Sequence, residues 1–247
     1  MADNADYADR YAAQYVDGGF ETCLIQIRRD RVLASVRAHP HRTILEIGCG
    51  LEPLFVHLDD FKSYTVVEPV ERFAHIARTL ADGSELITVL PVRLEDVQRD
   101  MHAAYDFVVL SSLLHEVAEP ERLLAAVRAV CRPDTVVHVN VPNVHSFHRL
   151  LALEMGVIAD VFEKSEMEER FGRHTRFDRD RLLSTLDRSG FRVLDSGSYF
   201  VKPFAHDQMD ALMQRGIVGR SIVRGLAGMI KYMPDLGCEI YADAVLR

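Results

Sequence analysis

The sequence is poor in positive charge and has no long apolar stretch. Its 247 residues carry 29 Lys and Arg against 37 Asp and Glu, which gives a formal net charge of −8. Proteins that bind duplex nucleic acid need a basic face to displace counterions from phosphate. No stretch approaches the roughly 18 uncharged apolar residues of a membrane-spanning helix. We therefore expect neither a nucleic-acid partner nor a membrane.

Cysteine is also scarce, and its spacing excludes two kinds of site. The four cysteines are far apart and form no CxxC pair: Cys23, Cys49, Cys131 and Cys238. This predicts free thiols, with neither a disulfide framework nor a zinc site, and we expect no bound metal. The first residues, Met1-Ala2-Asp3-Asn4-Ala5-Asp6, are acidic where a secretion signal is basic and then apolar. We expect a cytoplasmic protein.

Short β-branched runs alternate with amphipathic helical stretches in the first part of the chain. This alternation is typical of an α/β protein with a parallel sheet that helices cover on both faces. Between strands, one helical stretch places Phe73, Ile76, Ala77 and Leu80 on one side, and a second does the same with Leu123, Leu124, Val127 and Val130. The predicted strands are Thr43–Ile47, Tyr64–Glu68, Leu86–Leu90, Tyr105–Ser111 and Thr135–Val141.

The remaining regions are predicted to be mainly helical. We expect a helical cap over residues 1–38, a helical lid over residues 143–179 and a helical insertion over residues 204–236. Two further strands are predicted at Phe191–Val201 and Cys238–Leu246. No internal repeat and no linker rich in Pro, Gly or Ser interrupts the chain, so residues 1–247 are predicted to form one domain.

The first predicted strand runs directly into a glycine turn, Glu46-Ile47-Gly48-Cys49-Gly50. Such a turn lets a ligand approach the backbone closely. Glu68 ends the next strand, 20 residues after Gly48, where a carboxylate can accept hydrogen bonds from both ribose hydroxyls. The pair predicts a cofactor that contains a nucleoside.

The residues after the turn indicate which nucleoside cofactor is bound. Where the dinucleotide fingerprint has a third glycine and rests a diphosphate on a helix N-terminus, this chain has Glu52 and Pro53. A carboxylate repels a diphosphate, whereas S-adenosylmethionine has no phosphate and carries a positive sulfonium. The loop therefore favours the methyl donor over a nicotinamide dinucleotide.

At these residues the chain resembles the class I S-adenosylmethionine-dependent methyltransferases of the small-molecule type. The resembling segments are Ile44-Leu45-Glu46-Ile47-Gly48-Cys49-Gly50, Val66-Val67-Glu68-Pro69, Arg93-Leu94-Glu95-Asp96-Val97 and the stretch from Tyr105 to Val117. The resemblance implies a Rossmann-like, mostly parallel seven-stranded sheet whose last strand is antiparallel. It also implies cofactor contacts at Glu46, Gly48, Cys49, Gly50, Glu68, Glu95, Asp96 and Ser111.

Some of these residues have a simpler structural explanation. Glu46 could be a strand carboxylate that a backbone amide satisfies, and Ser111 could be a polar strand end. The Cys49 thiol need not react, because a small loop residue is sufficient at that position. The adenine contact could fall on either Glu95 or Asp96.

Two histidines are candidates for a catalytic base. Methyl transfer requires acceptor, methyl and sulfur to be aligned in a dry pocket, and a base only if the acceptor must lose a proton. Histidine suits that task near neutral pH. His115 follows the fourth strand, and His148, after the fifth, resembles a position that such methyltransferases often fill with histidine. The alternative for His115 is a helix-start residue that bonds a nearby carbonyl.

Three further patterns bear on acceptor and assembly. The chain also resembles ubiquinone-pathway O-methyltransferases, but their Glu-His order is reversed here as His115-Glu116, which argues against a metal role. Cations crowd residues 170–181, either as a solvated run or as a lid that contacts an anionic acceptor, and Lys202 is a second such candidate. A group of apolar residues predicts either core or a homodimer face: Met209, Leu212, Met213 and Ile217.

The sequence thus predicts a methyltransferase that methylates an oxygen, or as second choice a nitrogen, of a small secondary metabolite. Ser111-Ser112-Leu113-Leu114 lacks the Asn/Asp-Pro-Pro-aromatic cluster with which amide- and adenine-directed N-methyltransferases hold a planar nitrogen. Two alternatives stay open. One is a nicotinamide-dependent oxidoreductase, which shares the glycine turn and Glu68, and the other is a catalytically inactive relative that binds a partner.

Overall fold

Seven strands form one sheet in a computed structural model that describes residues 19–97, 101, 105–163 and 174–247. The strands are β1 (Thr43–Ile47), β2 (Ser63–Val67), β3 (Ile87–Leu90), β4 (Tyr105–Ser111), β5 (Cys131–Pro142), β6 (Phe191–Tyr199) and β7 (Glu239–Leu246). Their order across the sheet is β3-β2-β1-β4-β5-β7-β6. Only β7 pairs antiparallel, with β5 on one side and β6 on the other. The predicted Rossmann-like sheet with an antiparallel last strand is confirmed.

Helices connect the strands and cover the sheet. They are α1 (Phe20–Ala38), α2 (Glu71–Ala81), α3 (Leu94–Val97), α4 (Pro120–Val130), α5 (Phe147–Glu154), α6 (Arg179–Arg188), α7 (His206–Gln214) and α8 (Arg220–Gly228). Short 3₁₀ helices lie at Leu54–His57 and Met229–Lys231. No described helix is long and apolar enough to cross a membrane.

Successive residues of β4 divide the core between the two faces of the sheet, because side chains alternate along a strand. Val108 and Leu110 lie in the cluster that contains the apolar residues of α4 and α6. Phe107 and Val109 belong to the cluster that contains Val32 and Val36 of α1. Burying each such side chain contributes about 1.5–3 kcal/mol, which fixes α1 and α4 on opposite faces.

Glycines end the helices in two of the predicted helical regions. The predicted insertion over residues 204–236 is divided at Gly216, whose φ of +70° ends α7 and whose amide donates to the Met213 carbonyl. In the predicted lid over residues 143–179, α5 covers Phe147–Glu154, and Gly156 with a φ of +69° follows it. Glycine adopts this left-handed backbone at little cost, so both helices stop there.

Other differences are local. Leu80, predicted to pack inward from α2, is 45% exposed. The predicted apolar face of α4, with Leu123, Leu124, Val127 and Val130, is buried. Asp178 begins α6 as its N-cap and accepts a hydrogen bond from the Arg181 amide at 2.7 Å. Residues 1–18 and 164–173, which include parts of the predicted cap, of the predicted lid and of the cation-rich stretch, lie outside the described residues.

Candidate active site

A cavity of about 820 Å³ opens at the carboxyl ends of β1, β2 and β4. The strand order reverses between β1 and β4: the chain places β2 and β3 on one side of β1 and then returns to place β4 on the other side. Ligands of open α/β sheets bind in the crevice at such a switch point. Helix α1 forms part of the wall through Glu21, Ile25, Arg28 and Arg29.

The glycine turn forms the floor of this cavity. Gly48 and Gly50 have φ values of +74° and +59°, and the Gly48 amide donates to the Val67 carbonyl at 2.9 Å. A Cβ atom on Gly48 would lie 3.2 Å from Cδ2 of Leu113. The turn therefore requires glycine both for its backbone and for the close approach of the segment after β4.

Glu68 lies beside this turn and is 3% exposed. Its Oε1 accepts the Val70 amide at 2.9 Å, and its Oε2 accepts the Gly50 amide at 3.4 Å. Burial raises the pKa of Glu68, and the hydrogen bond from Val70 opposes this increase. The hydrogen bonds from Val70 and Gly50 hold the carboxylate in a fixed orientation, and its two oxygens together offer about four acceptor positions.

Glu46 lies in the wall but supports the turn from beneath. Both of its oxygens accept the Leu54 amide, at 3.1 and 3.2 Å, and Oε2 also accepts the Tyr64 hydroxyl at 2.8 Å. Burial raises the pKa of Glu46 to about 7, against the effect of these hydrogen bonds. The backbone-amide alternative that the sequence left open is thus present in the structure, and Glu46 holds the turn in shape.

The structure brings all eight residues predicted for the cofactor into one cavity. Those in its wall are Glu46, Gly48, Cys49, Gly50, Glu68, Glu95, Asp96 and Ser111. Burial raises the pKa of the Cys49 thiol, which therefore stays protonated. Ser111 is followed by Ser112, with a φ of 54°, whose amide donates to the Asn140 side chain at 2.9 Å. This left-handed serine is a strained backbone position at the mouth of the site.

The two predicted histidines lie outside the cavity wall. The His115 side chain is 3% exposed, with Nε2 3.6 Å from Oε1 of Glu116. His148 lies on α5, where burial and then the charge of Lys202 hold its pKa well below the usual value. Both stay predictions as catalytic residues, but neither imidazole lines the cavity.

Among the described residues, the histidine in the cavity wall is His174, which lies there with Glu116. The amides of His174 and Thr175 both donate to the His115 carbonyl, at 3.0 and 3.2 Å. The sequence contains His174 only as a member of the cation-rich stretch. No local signal separates it from its neighbours, because the contact that places it joins the loop after β4 to a segment some 60 residues later.

The described cations of that stretch make other contacts. Arg176 donates to the Phe162 carbonyl, Arg179 to Ser196 at 2.9 Å, and Arg181 lies 5.9 Å from the centroid of the Phe177 ring. Lys202 is 8% exposed, with Nζ 6.0 Å from the centroid of Phe20. None of these side chains lines the cavity.

The four apolar residues of the predicted core or dimer face differ in their burial. Met209 is completely buried, in a cluster against which Leu212 and Met213 pack, whereas Ile217 is 56% exposed. The core alternative therefore holds for Met209, and a homodimer stays a prediction. No described group of His, Cys, Asp and Glu has the arrangement of a metal site.

The glycine turn, the acidic end of β2 and the cavity at the switch point together define the class of protein. They are the parts of a nucleoside-binding α/β protein. Residues 21–196, more than half of the chain, match the family profile described as a methyltransferase domain. The chain belongs to this family and is an S-adenosylmethionine-dependent methyltransferase.

Solved structures share this fold at low sequence identity. The 1,6-didemethyltoxoflavin-N1-methyltransferase of Burkholderia thailandensis, bound to 1,6-didemethyltoxoflavin and S-adenosylhomocysteine, is 14% identical with a TM-score of 0.59, over 98% of this chain and 86% of that one. The mitomycin 7-O-methyltransferase MmcR is 16% identical with a TM-score of 0.56, over 92% and 54%. The [4+2]-cyclase SpnF is 19% identical with a TM-score of 0.59, over 88% and 79%. No match is found among curated proteins.

Proposed function

We propose that the protein transfers a methyl group from S-adenosylmethionine to an oxygen of a small-molecule acceptor, with a nitrogen as second choice. The observation that carries this proposal is the single cavity that gathers the eight cofactor candidates. Its volume of about 820 Å³ lies in the upper part of the range for small-ligand sites, about 300–1,000 Å³, which suits a cofactor together with a small acceptor.

The preference for oxygen rests on the segment after β4. Ser111, Ser112 and Leu113 line the cavity there and offer neither a proline pair nor an aromatic plate to hold a planar nitrogen. Among the solved structures that share the fold, MmcR is described as an O-methyltransferase. We propose that the acceptor is a secondary metabolite, because MmcR is described as a mitomycin methyltransferase.

Each part of the site has a proposed task toward the cofactor. The bound cofactor supplies a methyl group on a positively charged sulfur. Gly48 and Gly50 let the cofactor approach the backbone of the turn closely. Glu68 accepts hydrogen bonds from the ribose hydroxyls, and Glu95 or Asp96 borders the adenine. Ser111 lies at the carboxyl end of β4 in the same wall and would border the bound cofactor. The protein contributes alignment and exclusion of water.

We assign the acceptor's proton to His174. This residue lies in the cavity wall, and the hydrogen bonds from its own amide and that of Thr175 to the His115 carbonyl hold its backbone. A neutral imidazole there can accept the proton that a hydroxyl loses when its oxygen attacks the methyl carbon. In this proposal His115 acts as a positioning residue, through its carbonyl and through its contact with Glu116.

The wall of the cavity also argues against the two alternatives. Glu52 lies in that wall beside the glycine turn, where it accepts from Arg29 at 2.6 Å, and it opposes the diphosphate of a nicotinamide cofactor. The crevice is open rather than filled by side chains, as an enzyme requires. Both observations support a methyltransferase over an oxidoreductase or an inactive relative.

Calorimetric titration tests the proposal at its first step. We expect S-adenosylhomocysteine to bind with micromolar affinity and NADH to give no heat at the same concentrations. Absence of S-adenosylhomocysteine binding at millimolar ligand would overturn the assignment. A panel of hydroxylated and amine metabolites, assayed with donor labelled in the methyl group, then identifies the acceptor and the methylated atom.

A further inference from the structure

Basic side chains from three parts of the fold meet beside the start of α1. Nζ of Lys202, in the segment between β6 and α7, lies 6.0 Å from the centroid of the Phe20 ring, and the ring centroid of His206 on α7 lies 5.2 Å from the same point. His148 on α5 lies near them, because the charges of Lys202 and His206 both act on its imidazole. We name His148, Lys202 and His206 the basic cluster.

The strand order places the basic cluster on the half of the sheet that the proposed cofactor leaves to the acceptor. β7 pairs antiparallel with both β5 and β6, so these two strands run in the same direction as β4, and the segments after them emerge at the edge where the cavity opens. His148 follows β5 and Lys202 follows β6. Glu68, the proposed ribose contact, follows β2 on the other side of β1.

Glu21 connects the basic cluster with the cavity. This carboxylate lines the cavity, and its Oε2 lies 3.5 Å from Nδ1 of His206. Helices α1 and α7 are joined at this point, because the Phe20 amide donates to Oδ1 of Asp210 at 3.0 Å. An acceptor that extends past Glu21 therefore reaches the basic cluster.

The wall of the cavity itself is a poor site for an anionic group. Its carboxylates outnumber its arginines, which suits a cofactor with a positive sulfonium but repels a carboxylate or a phosphate. The carboxylates are Glu21, Glu46, Glu52, Glu68, Glu95, Asp96, Glu116 and Glu119, and the arginines are Arg28, Arg29, Arg93 and Arg122. The basic cluster offers the opposite sign just beyond this wall.

The described charges that act on His148 are all positive. Burial and then the charges of Lys202, Arg149 and His206 hold the pKa of His148 well below its usual value. Its Nδ1 is buried and has no hydrogen-bond partner among the residues that the structure describes. Because buried polar atoms are paired in the great majority of native structures, this open position indicates a ligand.

Carboxylates near His206 offset this surplus of positive charge only in part. Burial lowers the pKa of His206 and the charge of Lys202 adds to the decrease, and together they outweigh Glu21, Asp210 and Asp207. A bound anion would raise the pKa of both histidines of the basic cluster, since it stabilises their charged forms.

We propose that the methyl acceptor is an anion, whose carboxylate or phosphate binds to the basic cluster while its hydroxyl lies in the cavity. The inference rests on the proposed function and names the chemical class of the acceptor. Lys202 and the protonated imidazoles of His148 and His206 donate charge-assisted hydrogen bonds to the anionic oxygens. The basic cluster thus contributes to acceptor binding, whereas the chemical step takes place in the cavity.

Inorganic phosphate and acetate test the basic cluster before the acceptor is known. The imidazole signals of His148 and His206 are followed by NMR at neutral pH as each anion is added, with and without S-adenosylhomocysteine. We expect saturable shifts with dissociation constants in the millimolar range, and the anion that binds more tightly indicates which group the acceptor carries. Sodium chloride at the same ionic strength is the reference.

Lys202→Met removes the permanent charge of the basic cluster and keeps an apolar stem. We expect it to bind both anions at least about tenfold more weakly, with unchanged affinity for S-adenosylhomocysteine in calorimetry. Lys202→Arg keeps the charge and should retain anion binding within about threefold. Lys62→Met, which removes an exposed lysine just before β2, is the matched control and should bind the anions as the unsubstituted protein does.

The metabolite panel gives a second test when its hydroxylated acceptors are assayed in pairs that differ in the anionic group. Vanillate beside vanillyl alcohol represents the carboxylates, and glycerol phosphate beside glycerol represents the phosphates. We expect methyl transfer to favour the anionic members. For the best acceptor, Lys202→Met should raise KM at least about tenfold and change kcat by no more than about twofold.

The results that contradict the assignment differ from those that contradict the proposed function. The assignment is wrong if neither anion shifts the imidazole signals more than sodium chloride does, if Lys202→Met keeps its anion affinity, or if the best acceptor is uncharged. An equal loss in Lys62→Met, or a parallel loss of S-adenosylhomocysteine affinity in Lys202→Met, also contradicts it. If S-adenosylhomocysteine does not bind the unsubstituted protein, the proposed function itself fails, and the anion titration without that ligand still reports on the basic cluster.

Discussion

Gly48 is the residue on which the shape of the turn depends most directly. Gly48→Ala places a side chain at a φ of +74° and 3.2 Å from Leu113. We expect a loss of about 1–3 kcal/mol in unfolding free energy and at least tenfold weaker S-adenosylhomocysteine binding, measured by urea denaturation and calorimetry.

Gly83→Ala is the matched control. Gly83 has a φ of +71°, but a Cβ atom added there would meet no other atom within 4 Å. The backbone cost is therefore similar, while the ligand affinity should not change. Equal weakening of ligand binding by both variants would contradict a specific role for Gly48.

The second residue whose role is testable is His174. With the acceptor identified by the metabolite panel, we expect His174→Asn to lower kcat by about 10²–10⁴-fold and to remove the pH dependence that a base produces. Affinity for S-adenosylhomocysteine should stay unchanged, since His174 is assigned to the acceptor side.

His148→Asn tests the competing prediction that His148 is the base. His148 lies outside the cavity wall, so its replacement should preserve the pH profile of kcat. A His174→Asn variant with full kcat and an unaltered profile would exclude His174 as the base, and a loss confined to His148→Asn would restore the sequence prediction.

At the scale of elements, polar contacts attach α1 to the sheet in addition to its apolar face. Ser35 donates to Oδ2 of Asp243 at 2.6 Å, and Nδ1 of His138 lies 2.6 Å from Oδ1. Arg31 in turn donates to Ser35 at 2.8 Å. Burial raises the pKa of Asp243, but the contacts with His138, Ser35 and Arg31 outweigh it and leave the pKa lowered.

Removing this carboxylate should loosen α1. Asp243→Ala leaves the buried Ser35 and His138 without their partner, and we expect a loss of about 2–5 kcal/mol in the free energy of unfolding by urea. Asp60→Ala is the comparison, because Asp60 is 58% exposed and pairs only with His41 among the described contacts. Its expected cost is below about 1 kcal/mol, and similar losses for both variants would contradict the role of Asp243.

The helix that holds these residues was predictable, but its contacts were not. The sequence predicts a helical cap over residues 1–38, and the described part of that region forms a helix at Phe20–Ala38. Arg28, Arg31 and Ser35 lie on the same side of it at helical spacing, which a sequence also assigns to a solvated face. Their partners on β7 are more than 200 positions away, so no local pattern indicates them.

For the molecule as a whole, Glu46 makes stability depend on pH. Its pKa is about 7 when folded, against 4.5 for the ordinary group, because burial disfavours the charged form. Between these values the folded protein binds more protons than the unfolded chain, so this contribution to stability falls as the pH rises from about 4.5 to 7.

Glu46→Gln removes that dependence. Between pH 5 and pH 8, the unfolding free energy of the unsubstituted protein should fall by up to about 3 kcal/mol relative to that of Glu46→Gln, as measured by urea denaturation. Glu71 on α2 is 73% exposed, so the unfolding free energy of Glu71→Gln should change with pH in the same way as that of the unsubstituted protein. A difference between Glu46→Gln and the unsubstituted protein that is constant over this range would show that Glu46 does not titrate there.

The sequence by itself determined the alternation of strands and helices, the glycine turn and the carboxylate of Glu68. These features depend on backbone sterics and on hydrophobic spacing within a few residues, which are written locally in the chain. The resemblance to a methyltransferase family rests on these local motifs, and it implied the eight cofactor candidates before their positions were known.

Only the tertiary structure decided which further side chains reach the cavity. It places His174 in the wall and the His115 ring outside it, and it joins Arg28 to Glu239 across 211 positions of sequence. These neighbours are created by the order of strands in the sheet and by the packing of α1 on β7. Because such contacts form between segments with no local relation, their chemistry cannot be inferred from spacing along the chain.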